Sequence, residues 1–248
     1  MTKISPNVKK RKKSTVILII LGILVGLALI FNKQIRYFLI WWNSDRYYHE
    51  LSVKKLFNNN KLKQSFDFDA VQPISTEEIL KFQLINQKLP VIGFISMPKV
   101  QMKLPIFKGL SNTALSYGAG TMKENQTMGK GNYALASHRV DNPNLLFSPI
   151  QWAEKGMLIY ITNLDKIYTY KTTKVKRVTP DHAEVIDDVP NKKLITLVTC
   201  NDPGAIKRVI VHGKLVETYK FKKAPELTLN AFKIDINQVD WSNNPYGK

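Results

Sequence analysis

Residues 16–31 read VILIILGILVGLALIF, sixteen apolar residues without one charge. Such a run offers no polar face to water, so it does not suit a surface helix of a globular domain. It suits a bilayer, where a helix satisfies every backbone polar group within itself. A spanning helix usually takes about 20 residues, so this core leans on its flanks. Asn32, Lys33 and Arg36 can snorkel, and Tyr37, Trp41 and Trp42 suit the headgroup layer. The basic residues ahead of the run (Lys3, Lys9, Lys10, Arg11, Lys12, Lys13) also fit the start of a cleaved signal peptide. Yet no A-x-A-like site follows; the next residues are Asn-Lys-Gln-Ile-Arg-Tyr. The expectation is an uncleaved anchor over 15–37, a basic cytoplasmic tail over 1–14, and an extracellular location for everything after the anchor.

Residues 38–74 are polar and mixed, with an incomplete helical stripe (Tyr47, Tyr48, Leu51, Leu56, Phe57) that the Asn58–Asn60 run interrupts. They read as an extracellular stalk, partly helical. Residues 75–248 read as the folded domain. A short helix opens near Ser75 and runs to about Gln87. From Leu89 the pattern turns to short β-type runs, at 91–96, 100–107, 132–138, 157–163, 166–178, 193–199 and 208–219. Two short helices interrupt them, one from Ser111 or Asn112 to Gly118. The other is expected to take Ser148 as N-cap, Pro149 in its first turn and Gly156 as its stop. Many short strands with few helices predict a mainly β fold, a closed or nearly closed antiparallel barrel. Nothing in the pattern gives the tail after Tyr219 a role.

The formal net charge is +18. No recognition helix, zinc finger or base-stacking motif accompanies it, so no nucleic-acid partner is expected. Anionic lipid and cell-wall polymer account for the basic balance. Cys200 is the single cysteine, which excludes an intramolecular disulfide. A lone thiol is either a small buried hydrophobe or a reactive group.

Cys200 closes the run Leu194–Cys200, and Asn201-Asp202-Pro203-Gly204 follow it. A thiol where a buried strand meets a turn lies at a barrel rim. Free cysteine titrates near 8.5, and a cationic neighbour favours the nucleophilic thiolate. Arg208 opens the next strand, so a hairpin of 194–199 with 208–219 brings it close to Cys200. Spacing alone leaves Arg208 either an ordinary strand-edge arginine or a guanidinium that steadies oxyanion charge. His138 ends the run Tyr133–His138, again where a strand meets a loop. Nucleophile, proton shuttle and oxyanion stabiliser are the set acyl transfer requires, although spacing does not bring the three together.

Thr196-Leu197-Val198-Thr199-Cys200, with Arg208 eight residues on, resembles the TLxTC signature of the sortases, and Ala136-Ser137-His138 resembles their histidine motif. Leu146-Phe147-Ser148-Pro149, Leu104–Gly109 and Tyr117–Met122 are similar to segments of class A members. The similarity spans roughly 75–220. It implies an eight-stranded sortase-type β-barrel, with one N-terminal transmembrane helix ahead of it, and a catalytic trio of Cys200, His138 and Arg208. It also implies surface-protein substrates with a C-terminal LPxTG-type sorting signal, cleaved between Thr and Gly through a thioacyl enzyme. The acceptor is then an amine of a peptidoglycan precursor such as lipid II. Thr199 is placed to help orient the oxyanion, and Ala136, Val185, Ile186 and Val189 to form the groove for the Leu-Pro end of the signal. Arg139 departs from relatives that carry a second histidine there, and no role transfers to it.

Some class A sortases bind calcium, and Asp181, His182, Glu184, Asp187 and Asp188 form an acidic loop of the type that ion needs. In the other loop Glu124 stands between Lys123 and Lys130, so no cofactor and no metal is expected. His49 reads as a surface residue and His212 as a strand-face residue. Two alternatives stay open. One is a pilus-assembling sortase, disfavoured because 220–248 hold no second apolar span. The other is a non-enzymatic anchored module that binds anionic wall polymer through its basic strands.

Overall fold

The computed structural model describes residues 6–68, 70–85, 89–179, 183–200 and 207–246; for residues 6–12, 78, 84, 85, 183 and 200 it describes the backbone alone. The chain divides into two compact units, Met1–Leu39 and Ile40–Lys248. In the first, α1 (Pro6–Ile30) carries Pro6 at its start, where the missing N–H costs nothing. Its stretch Lys13–Ile30 has a mean hydropathy of 2.5 and is long and apolar enough to cross a membrane. α2 (Asn32–Asp45) follows it.

The second unit is built on a closed eight-stranded barrel. The strands are β1 (Val91–Met97), β2 (Met102–Phe107), β3 (Ala119–Thr121), β4 (Asn132–Ala136), β5 (Leu158–Thr162), β6 (Lys166–Val178), β7 (Leu194–Cys200) and β8 (Arg208–Lys220). Around the barrel they run β1-β2-β3-β4-β7-β8-β6-β5. Pairing is antiparallel except between β2 and β3 and between β4 and β7. Seven of these strands fall where the sequence pattern puts them. β3 is the addition: three residues in which Gly120 stands where a side chain would run into the Gly109 carbonyl and Leu115. The close approach requires glycine, and glycine erases the strand signal.

Alternation explains the interior. Ile195, Leu197, Val209, Val211, Leu135, Ile161 and Tyr170 are fully buried inside the barrel, whereas Phe94, Phe107 and Ile167 fall on the outward face, with Phe94 and Phe107 buried there beside Tyr48 and Tyr47. Gly213 pairs with Ile195, whose Cγ2 lies 2.9 Å from where a Cβ on Gly213 would stand, so the barrel is filled at that level. The expected helix at 148 is a 3-10 turn, Ser148–Trp152. Ser148 does not cap it. Its hydroxyl accepts from the Val140 amide and donates to the Val140 carbonyl, each at 2.8 Å, and so pins the loop after β4. The helix at 112 is α5 (Asn112–Tyr117), with the Ser111 hydroxyl accepting from the Ala114 amide as its N-cap.

The segment expected as a stalk belongs to this compact unit from Ile40 onward. Ile40, Tyr48, Leu51, Val53 and Leu56 are buried, with α3 (Val53–Asn59) laid along the start of β1, where the Asn59 amide donates to the Val91 carbonyl at 2.8 Å. Tyr48 stacks on Phe94 at 4.6 Å between ring centres. The tail after β8 locks this segment down. Asp240 exchanges backbone hydrogen bonds with Leu51 and Val53 at 2.7 and 3.2 Å, and the Ser96 hydroxyl donates to the Ala231 carbonyl. Within the tail Phe221 and Phe232 are fully buried, Phe221 beside Trp241 and Phe232 beside Tyr160 of β5.

Candidate active site

Register assembles the site. The parallel pairing of β4 with β7 sets Ala134 beside Thr196 and Ala136 beside Val198. The antiparallel pairing of β7 with β8 sets Thr196 beside His212, Val198 beside Ile210, and Cys200 beside Arg208. β8 continues to β6, with Lys174, Lys176 and Val178 opposite His212, Ile210 and Arg208. Residues in such a rank share one face of the sheet, and successive ranks on that face are two residues apart. The floor therefore runs from the Thr196–His212 rank through Ala136, Val198 and Ile210 to the Cys200–Arg208 rank.

β4 ends at Ala136, two residues short of the expected boundary, but the Ser137 amide still donates to the Val198 carbonyl at 3.3 Å. Continuing that parallel register brings His138 level with Cys200. The ends of β4, β7 and β8 thus lie side by side at one rim, with Cys200 paired to Arg208 and His138 two residues beyond the end of β4. The long-range parallel pairing supplies an adjacency of strand ends that sequence spacing lacked.

The His138 ring is desolvated at this rim. Its Nε2 is buried without a hydrogen-bond partner among the described residues, and burial pushes the imidazole down from 6.5 to about 4. The half-buried Arg208 donates from Nη1 to the Lys207 carbonyl at 3.5 Å, and its guanidinium lies 6.0 Å from the centre of the Phe68 ring. Thr199 is buried, and its hydroxyl donates to the Ser137 carbonyl at 2.8 Å. That bond braces β7 against β4 one residue before Cys200 and His138 in their respective chains.

The sequence-predicted groove residues gather along the floor and beside it. Ala136 is buried against Leu110 and Leu115, with Val71 and Met122 packed on the same cluster. Val185 and Ile186 are half-buried on a 3-10 turn, Ala183–Ile186, and Val189 is exposed beyond it. The turn is fastened by Asn132, which the sequence did not single out, and by the Thr196 hydroxyl, His212, Asp188 and Lys123, none of which was expected in that role. Phe68 and Val71, from the segment before α4 (Thr76–Ile85), are likewise unforeseen neighbours of the site. His49 is exposed and lies 3.4 Å from Asp45. In the acidic loop Asp181 and His182 lie outside the described residues, as does Asp202. Asp188 accepts the Lys123 ammonium at 2.6 Å, which holds its carboxyl below the usual range. Among the described residues no three His, Cys, Asp or Glu side chains cluster as a metal site.

The pattern of the Sortase domain matches residues 95–216. Sortase A of Streptococcus agalactiae serotype III (strain NEM316) is 52% identical over 230 residues, 90% of this chain and 93% of that protein. The chain belongs to the sortase family. Sortase A of Listeria monocytogenes is 36% identical over 219 residues, 86% of this chain and 96% of that protein. A crystal structure of Listeria monocytogenes sortase A superposes with a TM-score of 0.54 at 37% identity, over 58% of this chain and 98% of that one. The fold is therefore the sortase barrel, the identity is consistent with class A, and the protein is a sortase transpeptidase. The expectation of a non-enzymatic wall-binding module gives way to that assignment.

Proposed function

We propose that this sortase is a single-pass membrane enzyme with its N-terminus in the cytoplasm and its catalytic unit outside, joining surface proteins with LPxTG-type signals to a peptidoglycan amine such as that of lipid II. Cys200 is the nucleophile. Its sulfur attacks the carbonyl of the Thr–Gly bond, and its proton passes to His138. Arg208, its rank neighbour, steadies the negative charge on the carbonyl oxygen. The C–N bond breaks as the imidazolium returns the proton to the leaving glycine amine, leaving a thioester on Cys200. The acceptor amine then attacks the thioester, its proton goes to His138, and the thiol is released. What supports this reading is the pairing of Cys200 with Arg208 across β7 and β8, together with a β4–β7 register whose continuation past Ala136 leads His138 toward Cys200. Ala136, Val185, Ile186 and Val189 contact the Leu-Pro end of the signal, and Thr199 acts on the oxyanion through the strand ends it braces.

The chemistry needs no metal. The Lys123 ammonium already neutralises Asp188 at the place where the acidic loop meets the β3–β4 loop, so we read the enzyme as calcium-independent.

The test is cleavage of a quenched fluorescent LPxTG peptide by the full-length protein in detergent micelles, with and without an amine acceptor, and with calcium or a chelator. Cys200→Ala, His138→Ala and Arg208→Ala are the controls. The reading expects cleavage that needs all three residues, product carrying the added amine, and no response to calcium. Loss of activity in chelator would overturn the metal-free account. A folded wild type that cleaves no member of a panel of sorting signals would overturn the substrate class.

A further inference from the structure

We propose that Asn132 is a positioning residue for the sorting signal: its side-chain amide holds the 183–189 segment as one wall of the substrate groove. The inference rests on the reading of that groove given above. The wall has little regular structure of its own, a 3-10 turn of four residues followed by an irregular run to β7. Such a segment keeps a defined position only if something ties its backbone to the barrel.

Asn132 opens β4 and is buried. An asparagine amide has two N–H donors and one acceptor oxygen, and here all are used. Nδ2 lies 3.1 Å from the Val185 carbonyl and 3.1 Å from the Asp187 carbonyl, one on each side of Ile186. Oδ1 accepts the Thr196 hydroxyl at 2.8 Å. The Thr196 hydroxyl also lies 3.3 Å from the Val185 carbonyl and 3.1 Å from Nδ1 of His212, so it joins β7 and β8 to the same wall. The backbone amide of Asn132 donates to Asp188 Oδ1 at 2.8 Å, the same oxygen that takes the Lys123 ammonium.

β4, β7, β8 and the β3–β4 loop thus converge on the wall, and each of these bonds but that of Lys123 runs through Asn132 or Thr196. The Thr196–His212 rank that orients the amide is also the end of the apolar floor away from Cys200. The same residues therefore fix how far the groove extends from the nucleophile and where Val185, Ile186 and Val189 stand above it. The Thr196–His212 pair stands two ranks from the Cys200–Arg208 pair, so the staple acts on the position of bound peptide rather than on the reacting atoms.

The experiment compares the full-length wild type in micelles with Asn132→Ala and with Thr196→Val, a near-isosteric change that removes only the orienting hydroxyl. If Asn132→Ala leaves the wall in place only a tenth of the time, apparent affinity falls about tenfold. The expected result is a KM for the LPxTG peptide raised about tenfold, with kcat within about threefold. Thr196→Val moves the same way by a smaller factor. Amide hydrogen exchange should accelerate in 183–189 while β7 and β8 stay protected. Alkylation of Cys200 by iodoacetamide should keep the wild-type rate. A fall in kcat at unchanged KM, or unchanged exchange in 183–189, overturns the staple. If the wild type cleaves no LPxTG peptide, the substrate reading fails by itself. The exchange measurement still decides whether Asn132 holds the wall.

Discussion

His138 is the group whose environment departs most from water at the proposed site, and its titration gives a quantitative test. Burial lowers its pKa from 6.5 to about 4 because a charged imidazolium at this rim loses solvent without gaining a partner among the described residues. Each tenfold change in proton affinity is worth about 1.4 kcal/mol. The full difference is about 3 kcal/mol, which a half-buried residue discounts to about 2 kcal/mol. Between pH 4 and 6.5 the unfolded chain holds a proton on this side chain and the folded chain does not. Stability therefore rises with pH through that window, is fully present above about 6.5, and is lost as pH falls through about 4.

The perturbation is His138→Asn, which keeps a small polar side chain and removes the titration. Urea unfolding in micelles, followed by circular dichroism at about pH 7.5 and about pH 4.5, should show the wild type losing about 2 kcal/mol more than the variant. Carboxylates such as Asp188, whose pKa is lowered by Lys123, contribute equally to both proteins and cancel. Parallel losses would refute the reasoning. So would a ring titration, read by NMR on labelled histidine, with its midpoint above 6.5, since that requires a standing thiolate–imidazolium pair. A neutral resting imidazole has a mechanistic consequence. The proton that reaches the leaving amine must come from the Cys200 thiol during attack, and the desolvated imidazolium formed on the way is a strong acid.

Thr199→Val removes the donor to the Ser137 carbonyl and leaves the shape of the buried site almost unchanged. It should cost about 1–3 kcal/mol in thermal or urea unfolding and lower kcat as the braced strand ends part; a variant as stable and active as wild type would place the bond outside the site's support. Phe232→Ala empties a fully buried position packed 6.4 Å from the Tyr160 ring and should cost about 3–5 kcal/mol in the same unfolding measurement. A loss below about 1 kcal/mol would mean that the tail merely rests on the barrel.

Most of the barrel was legible from short runs rich in β-branched and aromatic residues, since β1, β2, β4 and β5 are buried on almost every position and read as near-continuous apolar runs. In β6 (KIYTYKTTKVKRV) apolar and polar residues alternate along part of the length, and a period of two identifies a strand without knowledge of its partner. The sequence could not supply the pairing of β4 with β7. Those strands are separated by β5, β6 and their loops, and parallel register between distant strands is set by tertiary packing. The segment before β1 misled for a related reason. Tyr48, Leu51, Val53 and Leu56 do not make a full helical stripe because they are divided between a turn, an isolated bridge and a short helix. Their burial also depends on a tail nearly two hundred residues away, which is why neither segment announces its role alone.

The same contrast divides the site. His138, Cys200 and Arg208 could be named because each is a reactive side chain at the end of an apolar run, and both properties are local. Asn132 follows Lys130-Gly131, where an asparagine reads as the close of a turn. Its chief partners are the carbonyls of Val185 and Asp187, and backbone carbonyls occur at every position, so the contact leaves no trace in residue identity. What marks Asn132 is burial. An amide in a dry environment is tolerated only when its hydrogen-bonding capacity is met, so a buried asparagine at the head of an apolar strand implies a segment lying over it. Here that segment carries Val185, Ile186 and Val189, so the residues expected to choose the substrate are held by one whose own side chain is turned to their backbone.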